Sequence, residues 1–367
     1  MWRLILVGIL LVLSIVPAYA QQPIDFNAEI ALVWEQLHAQ PDDFSVACMP
    51  VVESPTITLY HANEAFPLAS VSKLLIFIEY ARQVDAGIIP LDEMVVVDAL
   101  NRYDLPRTNG GAHERFLELY PADVRTISLW DVATTGMIQY SSNAASDLVL
   151  ARLGPVDWDN LYQTLDIGNT EYPHSMGIIA LLMNNHETGE TRMSEVGSLD
   201  VAQGEALLDR YLHDDEWRQA EIDYRAGRRR VFPSWDIQAA VLQQITAKGT
   251  VRDFLNVMAA VYGPAGPLSD SVKTMVRTAL RWRDNEFLDS VYFEYGSKLG
   301  YYSGGTLALA AYGYPYLGRP VISVVFIRNI PRQVYNEMRH QDSIGYLAHW
   351  MIANDCVGLL DAIYMHD

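Results

Sequence analysis

The sequence predicts a mixed α/β fold: one antiparallel sheet built from both chain ends, flanked by helices, with an all-helical subregion between them. Three observations predict it. Residues 44–52 and 56–61 read as strands, separated by the Glu53-Ser54-Pro55 turn. Residues 291–296, 306–312 and 321–327 read as three more, separated by Gly304-Gly305 and by the 315–320 segment with a proline at each end. The long middle has mostly helical periodicity. With both strand groups flanked by helices, a single shared sheet buries the most with the fewest parts.

In order along the chain, residues 24–40 carry Ile30, Val33, Trp34 and Leu37 on one helical face, and Pro41 ends that helix. After the first two strands comes Phe66-Pro67-Leu68-Ala69-Ser70-Val71-Ser72-Lys73, a short loop entering an apolar helix that runs to about Asp85 and closes at Gly87. Residues 91–99 read as extended and 101–120 as an irregular polar excursion. Ser128 caps a helix with Asp131 as its reciprocal acid, and a further helix spans 144–153 before Gly154-Pro155. Within the unfamiliar 158–248 stretch, residues 201–213 form an amphipathic helix. Thr250 caps a helix whose face is Phe254, Val257, Met258 and Val261. A last helix spans 342–360. There are no internal repeats.

The chain has 367 residues, half of them hydrophobic, enough for a large core. Its 26 Lys+Arg stand against 45 Asp+Glu, a formal charge of −19. That surface argues against nucleic acid or an anionic membrane as partner. The basic 224–230 run reads as a solvated face, or as a docking patch. Arg3, the apolar residues 4–16 and Ala18-Tyr19-Ala20 before Gln21 form a signal-peptide pattern over residues 1–20. We therefore expect an exported, periplasmic or extracellular protein with no membrane span after cleavage. Residues 21–367 are expected to form one domain with an insertion at about 166–249. Cys48 and Cys356 are either a disulfide across the chain ends or two buried thiols.

Ser70 and Lys73 carry the first chemical signal. Three apart on a helix, they share a face, so the amine reaches the hydroxyl. A serine needs an adjacent base to attack, and a buried lysine with a lowered pKa can serve. Ser141-x-Asn143, in a loop between helices, and Lys298-x-Gly300, at the end of a strand, follow in order. The S-x-x-K, S-x-N and K-x-G trio resembles the class A β-lactamase and penicillin-binding-protein superfamily of serine hydrolases. The resemblance covers roughly 44–154 and 250–360 and is nearest at 66–73 and 137–145.

The resemblance implies acyl transfer. Ser70 attacks a carbonyl, and Lys73 takes its proton. Ser141 relays a proton to the leaving nitrogen. Asn143 binds the substrate amide and orients Lys73, while Lys298 lowers the Lys73 pKa and attracts a substrate carboxylate. The oxyanion donors are then the N–H groups of Ser70 and of a residue just past Gly300, most simply Tyr302. Tyr301 and Tyr302 either line the cleft or pack in the core.

Three departures matter. Leu299 stands where the family has Thr or Ser, removing a hydrogen bond to the carboxylate that is worth about 1 kcal/mol. Ser142 replaces an Asp. The segment after Asp166 opens like the loop that carries a water-activating Glu, then turns apolar at 176–181. Glu171, Glu187, Glu190 and Glu195 are the candidates for a displaced base. Without one, acylation proceeds and deacylation is slow. Scattered His residues and dispersed glycines give no metal or cofactor motif. The leading expectation is class A-like amide hydrolysis of a small-molecule β-lactam. A D,D-peptidase or esterase acting on cell-wall peptide with slow deacylation is the alternative, and a catalytically silent binding relative the third reading.

Overall fold

The computed structural model describes residues 26–282 and 285–364. The signal-peptide pattern at 1–20 lies outside the described residues. The sheet consists of β1 (Phe44–Pro50), β2 (Thr58–Tyr60), β3 (Tyr292–Tyr302), β4 (Thr306–Pro315) and β5 (Val321–Ile327), in spatial order β2-β1-β5-β4-β3. All pairings are antiparallel; Ala47 lies opposite Val324, and Ala310 opposite both Val324 and Lys298. The chain ends thus meet in the middle of the sheet, and β3 is an edge strand.

β5 shows why the sheet is central. All seven of its residues are buried, six of them apolar with Ser323 the exception, as in a strand covered on both faces. Ile322, Val324 and Phe326 face a core shared with helices α1 (Lys73–Asp85), α2 (Asn143–Leu153) and α3 (Val251–Tyr262). Phe254 of α3 meets Phe326 edge-on at 5.5 Å. Val321, Val325 and Ile327 face the other core, with the N-terminal helix (Phe26–Ala39) and the helix Ser343–Ala353. Cys48 on β1 and Cys356 form a disulfide, Cα–Cα 5.6 Å, on this second side.

The 166–249 segment builds a third apolar core from the helix Gly177–Met183, Leu208, Tyr211, Trp217, Val241, Leu242 and Ile245. Four helices supply it: Gly177–Met183, Val201–His213, Asp215–Gly227 and Trp235–Ile245. Among the described residues, no helix is long and apolar enough to cross a membrane.

Several boundaries differ from expectation. β3 runs unbroken to Tyr302, so the Lys298–Gly300 motif lies inside a strand rather than at its end. Gly296 and Gly300 look like breakers, yet each is a site of close approach: a Cβ on Gly300 would lie 2.7 Å from the Ser70 nitrogen. The 101–120 excursion contains the helix Ala112–Leu117. In 91–99 only Met94–Val96 is strand, followed by the helix Val97–Asn101. The expected last helix ends at Ala353, because Asp355, Cys356 and Gly358 all adopt positive φ before a new helix at Leu359–Tyr364.

Candidate active site

The nucleophile turn is held from below by a two-residue pairing. Phe66 and Pro67 pair with Gly249 and Lys248, and the Leu68 N–H donates to the Ala247 carbonyl at 3.0 Å. Ala69–Ser72 then form a 3-10 turn leading into α1. In that geometry residues three apart eclipse, so the Ser70 and Lys73 side chains leave the turn on one face. Ala69 sits at φ 46°, and the Ser72 hydroxyl donates to its carbonyl at 2.8 Å. A non-glycine residue in this region is strained, and the ties on both sides hold it there.

Lys73 is fully buried. Its Nζ donates to the Ser141 carbonyl at 2.7 Å and to Asn143 Oδ1 at 2.8 Å, with Ser141 Oγ at 3.4 Å. Burial, and then the Lys298 charge, hold its pKa well below the usual lysine value, against a smaller opposing effect of Asp147. A neutral amine has two N–H bonds and one lone pair. The two short bonds use the N–H groups, leaving the lone pair free to accept a proton.

Lys298 reaches the same point from β3. Its Nζ donates to Ser141 Oγ at 3.0 Å and to the Leu299 carbonyl at 3.0 Å, and burial pushes its pKa down to about 7. Ser141 Oγ therefore lies between the two amines. Ser141 itself has φ 60°, a second strained non-glycine residue at the reacting group. Gly300 lies against the nucleophile turn, with Val71 N and Leu68 O also under 3.0 Å from any added Cβ. The Leu299 side chain turns to the opposite face of the sheet and packs in the second core.

Three supports were not read from the sequence. Asn109 Oδ1 accepts from the Asn143 N–H at 2.6 Å. The buried His113 meets Ser142 Oγ through Nδ1 at 3.0 Å and Asn101 Oδ1 through Nε2 at 2.9 Å. Asn101 Oδ1 can only accept, so Nε2 carries the proton; burial keeps the ring neutral, and its Nδ1 then accepts from the Ser142 hydroxyl, whose oxygen also accepts from the Ala145 N–H. Asp147, one turn beyond Asn143, accepts from the Met176 and Gly177 N–H groups at 2.6 and 2.9 Å. Burial raises its pKa to about 6. None of the three belongs to a motif; each is reached only through a long-range contact.

Asp147 thereby seats the Gly177–Met183 helix as a wall of the cleft. Ser70, Ser141, Asn143, Tyr301 and Tyr302 line a space of about 450 Å³ together with Met176, Ile179, Ala180 and Met183 of that wall. The Tyr302 hydroxyl donates to Met176 Sδ at 3.1 Å, so its side chain ties β3 to the wall. The four candidate glutamates lie elsewhere. Glu171 accepts from the Lys248 N–H, Glu187 from Arg210, Glu190 from Arg228 and Glu195 from the Arg192 N–H. Among the described residues, no Asp or Glu lines the cleft, and no group of three or more His, Cys, Asp or Glu could hold a metal ion.

The fold has counterparts. A β-lactamase from Sphaerobacter thermophilus is 15% identical, with 91% of this chain and 98% of that one aligned at a TM-score of 0.55. An ancestral class A β-lactamase is 14% identical, covering 87% of this chain and 99% of its own at 0.52. The structure of PBP-A is 13% identical, covering 88% and 96% at 0.50. At such identities the likeness is one of fold. No curated protein sequence matches the chain. Residues 35–329 match the model of the beta-lactamase enzyme family, and the chain belongs to that family.

Proposed function

We propose that the protein is an exported serine hydrolase that attacks an amide or ester carbonyl through Ser70 and releases the acyl group slowly. The observation that carries this reading is the Lys73 amine, buried and held below its usual pKa, one 3-10 turn from Ser70 with both N–H bonds committed. The Ser70 proton passes to the Lys73 lone pair as Oγ bonds to the carbonyl carbon. The negative charge that develops on the carbonyl oxygen needs two N–H donors. One is that of Ser70. For the other, the Leu299 carbonyl is informative, because it accepts from Lys298 and so faces the cleft. Backbone groups two residues apart on a strand face the same way, which favours the Tyr301 N–H over that of Tyr302 for this role. Ser141 then hands a proton from the lysines to the leaving nitrogen or oxygen, and the C–N or C–O bond breaks.

Water must next attack the acyl-enzyme. The apolar Gly177–Met183 wall offers it no carboxylate, so Lys73 is the remaining base. This favours the D,D-peptidase or esterase behaviour of penicillin-binding proteins over fast β-lactam hydrolysis. Export rests on the pattern of residues 1–20, and the Cys48–Cys356 disulfide suits an oxidising compartment.

The test follows intact mass over time after mixing the mature protein with a penicillin, with Ser70→Ala as control. A persistent adduct, absent from the control, is expected. Rapid loss of the adduct with product release favours the lactamase. No adduct with several β-lactams, together with no ester hydrolysis, would overturn the catalytic reading in favour of a silent binding protein.

A further inference from the structure

The charge of the cleft is opposite to that of the molecule. The chain carries a formal charge of −19, yet Arg107, Arg115 and Arg339 all line the space in front of Ser70, with no carboxylate among its lining residues. None of the three is within 4.0 Å of a carboxylate among the described residues. All three are exposed, so together they give the mouth of an otherwise neutral cleft a positive potential that draws anions in from an acidic surface.

The three occupy two edges. Arg339 lies over the Tyr301 ring at 3.8 Å, on the face of β3 that also carries Leu299. Arg107 and Arg115 belong to the 101–120 excursion. Asn109, between them, accepts from the Asn143 N–H, which fixes that excursion to the Asn143 side of Ser70. Arg107 Nη1 donates to the carbonyls of Arg225 and Arg228, and Arg115 Nη1 donates to that of Gly110. Each guanidinium has five N–H bonds, so both keep donors to spare.

We propose that the cleft takes a dianionic acyl substrate, with one negative group beyond the leaving side, near Lys298, and a second on the acyl side, met by Arg107 and Arg115. The acyl side is the Asn143 side, where the substrate amide is bound. The proposal rests on the Ser70 reading for its orientation. The second anion fills a place that Leu299 does not affect.

Benzylpenicillin and carbenicillin test it, because they share a nucleus and differ by a carboxylate on the acyl side chain. With the wild-type protein we expect carbenicillin to acylate Ser70 about tenfold faster, an advantage that shrinks as salt is raised. Arg115→Gln should bring the ratio of the two rates toward one and Arg115→Lys should restore part of it, whereas Arg339→Gln should slow both compounds. Thermal melting verifies that each variant is folded. Binding to the Ser70→Ala protein, which cannot be acylated, separates the two readings. Tighter carbenicillin binding without acylation of the wild type sinks the acyl-enzyme reading and keeps this one. Equal rates and equal affinities, a ratio that Arg115→Gln leaves intact, or no carbenicillin binding at all overturns the proposal.

Discussion

Replacing Gly300 by alanine asks how closely the edge strand must approach the nucleophile. A Cβ there would lie 2.7 Å from Ser70 N, 2.8 Å from Val71 N and 2.9 Å from Leu68 O. All three are backbone atoms of the turn that presents the nucleophile, so no side chain can swing aside. Carbon normally approaches such atoms no closer than about 3.3–3.5 Å, and relief requires strand and turn to part by roughly 0.5–0.7 Å. Overpacking of this kind costs about 1–3 kcal/mol of stability. The functional cost should be of similar size, because both proposed oxyanion donors sit on the two parted segments, and a misplacement of about 1 Å costs on the order of 10²-fold, or about 2.7 kcal/mol. We expect Gly300→Ala to acylate ten- to a hundredfold more slowly, by roughly that scaling, while keeping its fold. The assay is the second-order rate of adduct formation by intact mass, beside a denaturant midpoint. Acylation within about threefold of wild type at unchanged stability would refute the close-approach argument.

Two further outcomes follow from the charges and the cross-link. Lys73 must be neutral to accept a proton, so acylation should rise with pH through its lowered pKa and reach its plateau well below the pH at which a free lysine titrates. Lys298 loses its charge as pH rises through about 7, so capture of an anionic substrate should fall there, and Lys298→Arg should remove the falling limb from a pH–rate profile. An unchanged falling limb in that variant would assign it to another group. The Cys48–Cys356 bond spans 308 positions of sequence; loop-closure entropy alone corresponds to about 6 kcal/mol, and native bonds are typically worth about 2–5 kcal/mol. Reduction, or the Cys48→Ser/Cys356→Ser double variant, should lower stability by that range in a denaturant titration. A change below about 0.5 kcal/mol would mean that β1 and the C-terminal helices hold together without it.

Much of the fold was legible because its signals are local. Residues 321–327 read as a strand set off by the proline-bounded 315–320 segment, and Thr250 as a cap with Asp253 in the first turn, whose N–H does donate to it. The misreadings share a cause. Gly296 and Gly300 look like strand breakers when only neighbours in sequence are considered, although their small size serves contacts with Tyr262 and Ser70 across the molecule. Asp355 and Cys356 carry no helix-ending signal, yet their positive φ ends the last long helix where the disulfide is made.

The sequence by itself determined the candidate set: Ser70, Lys73, Ser141, Asn143 and Lys298 each stand in a short motif, since proximity within a turn is encoded by spacing of three residues or fewer. Only the tertiary structure decided their environment. Lys73 is depressed by burial and by an amine 225 positions away in sequence, as the numbers 73 and 298 show. The wall facing Ser70 is apolar because Asp147 seats the Gly177–Met183 helix there. The arginines reach the cleft from the 101–120 excursion and from a helix beyond β5. Desolvation and field are sums over everything nearby in space, and a sequence lists only what is nearby along the chain.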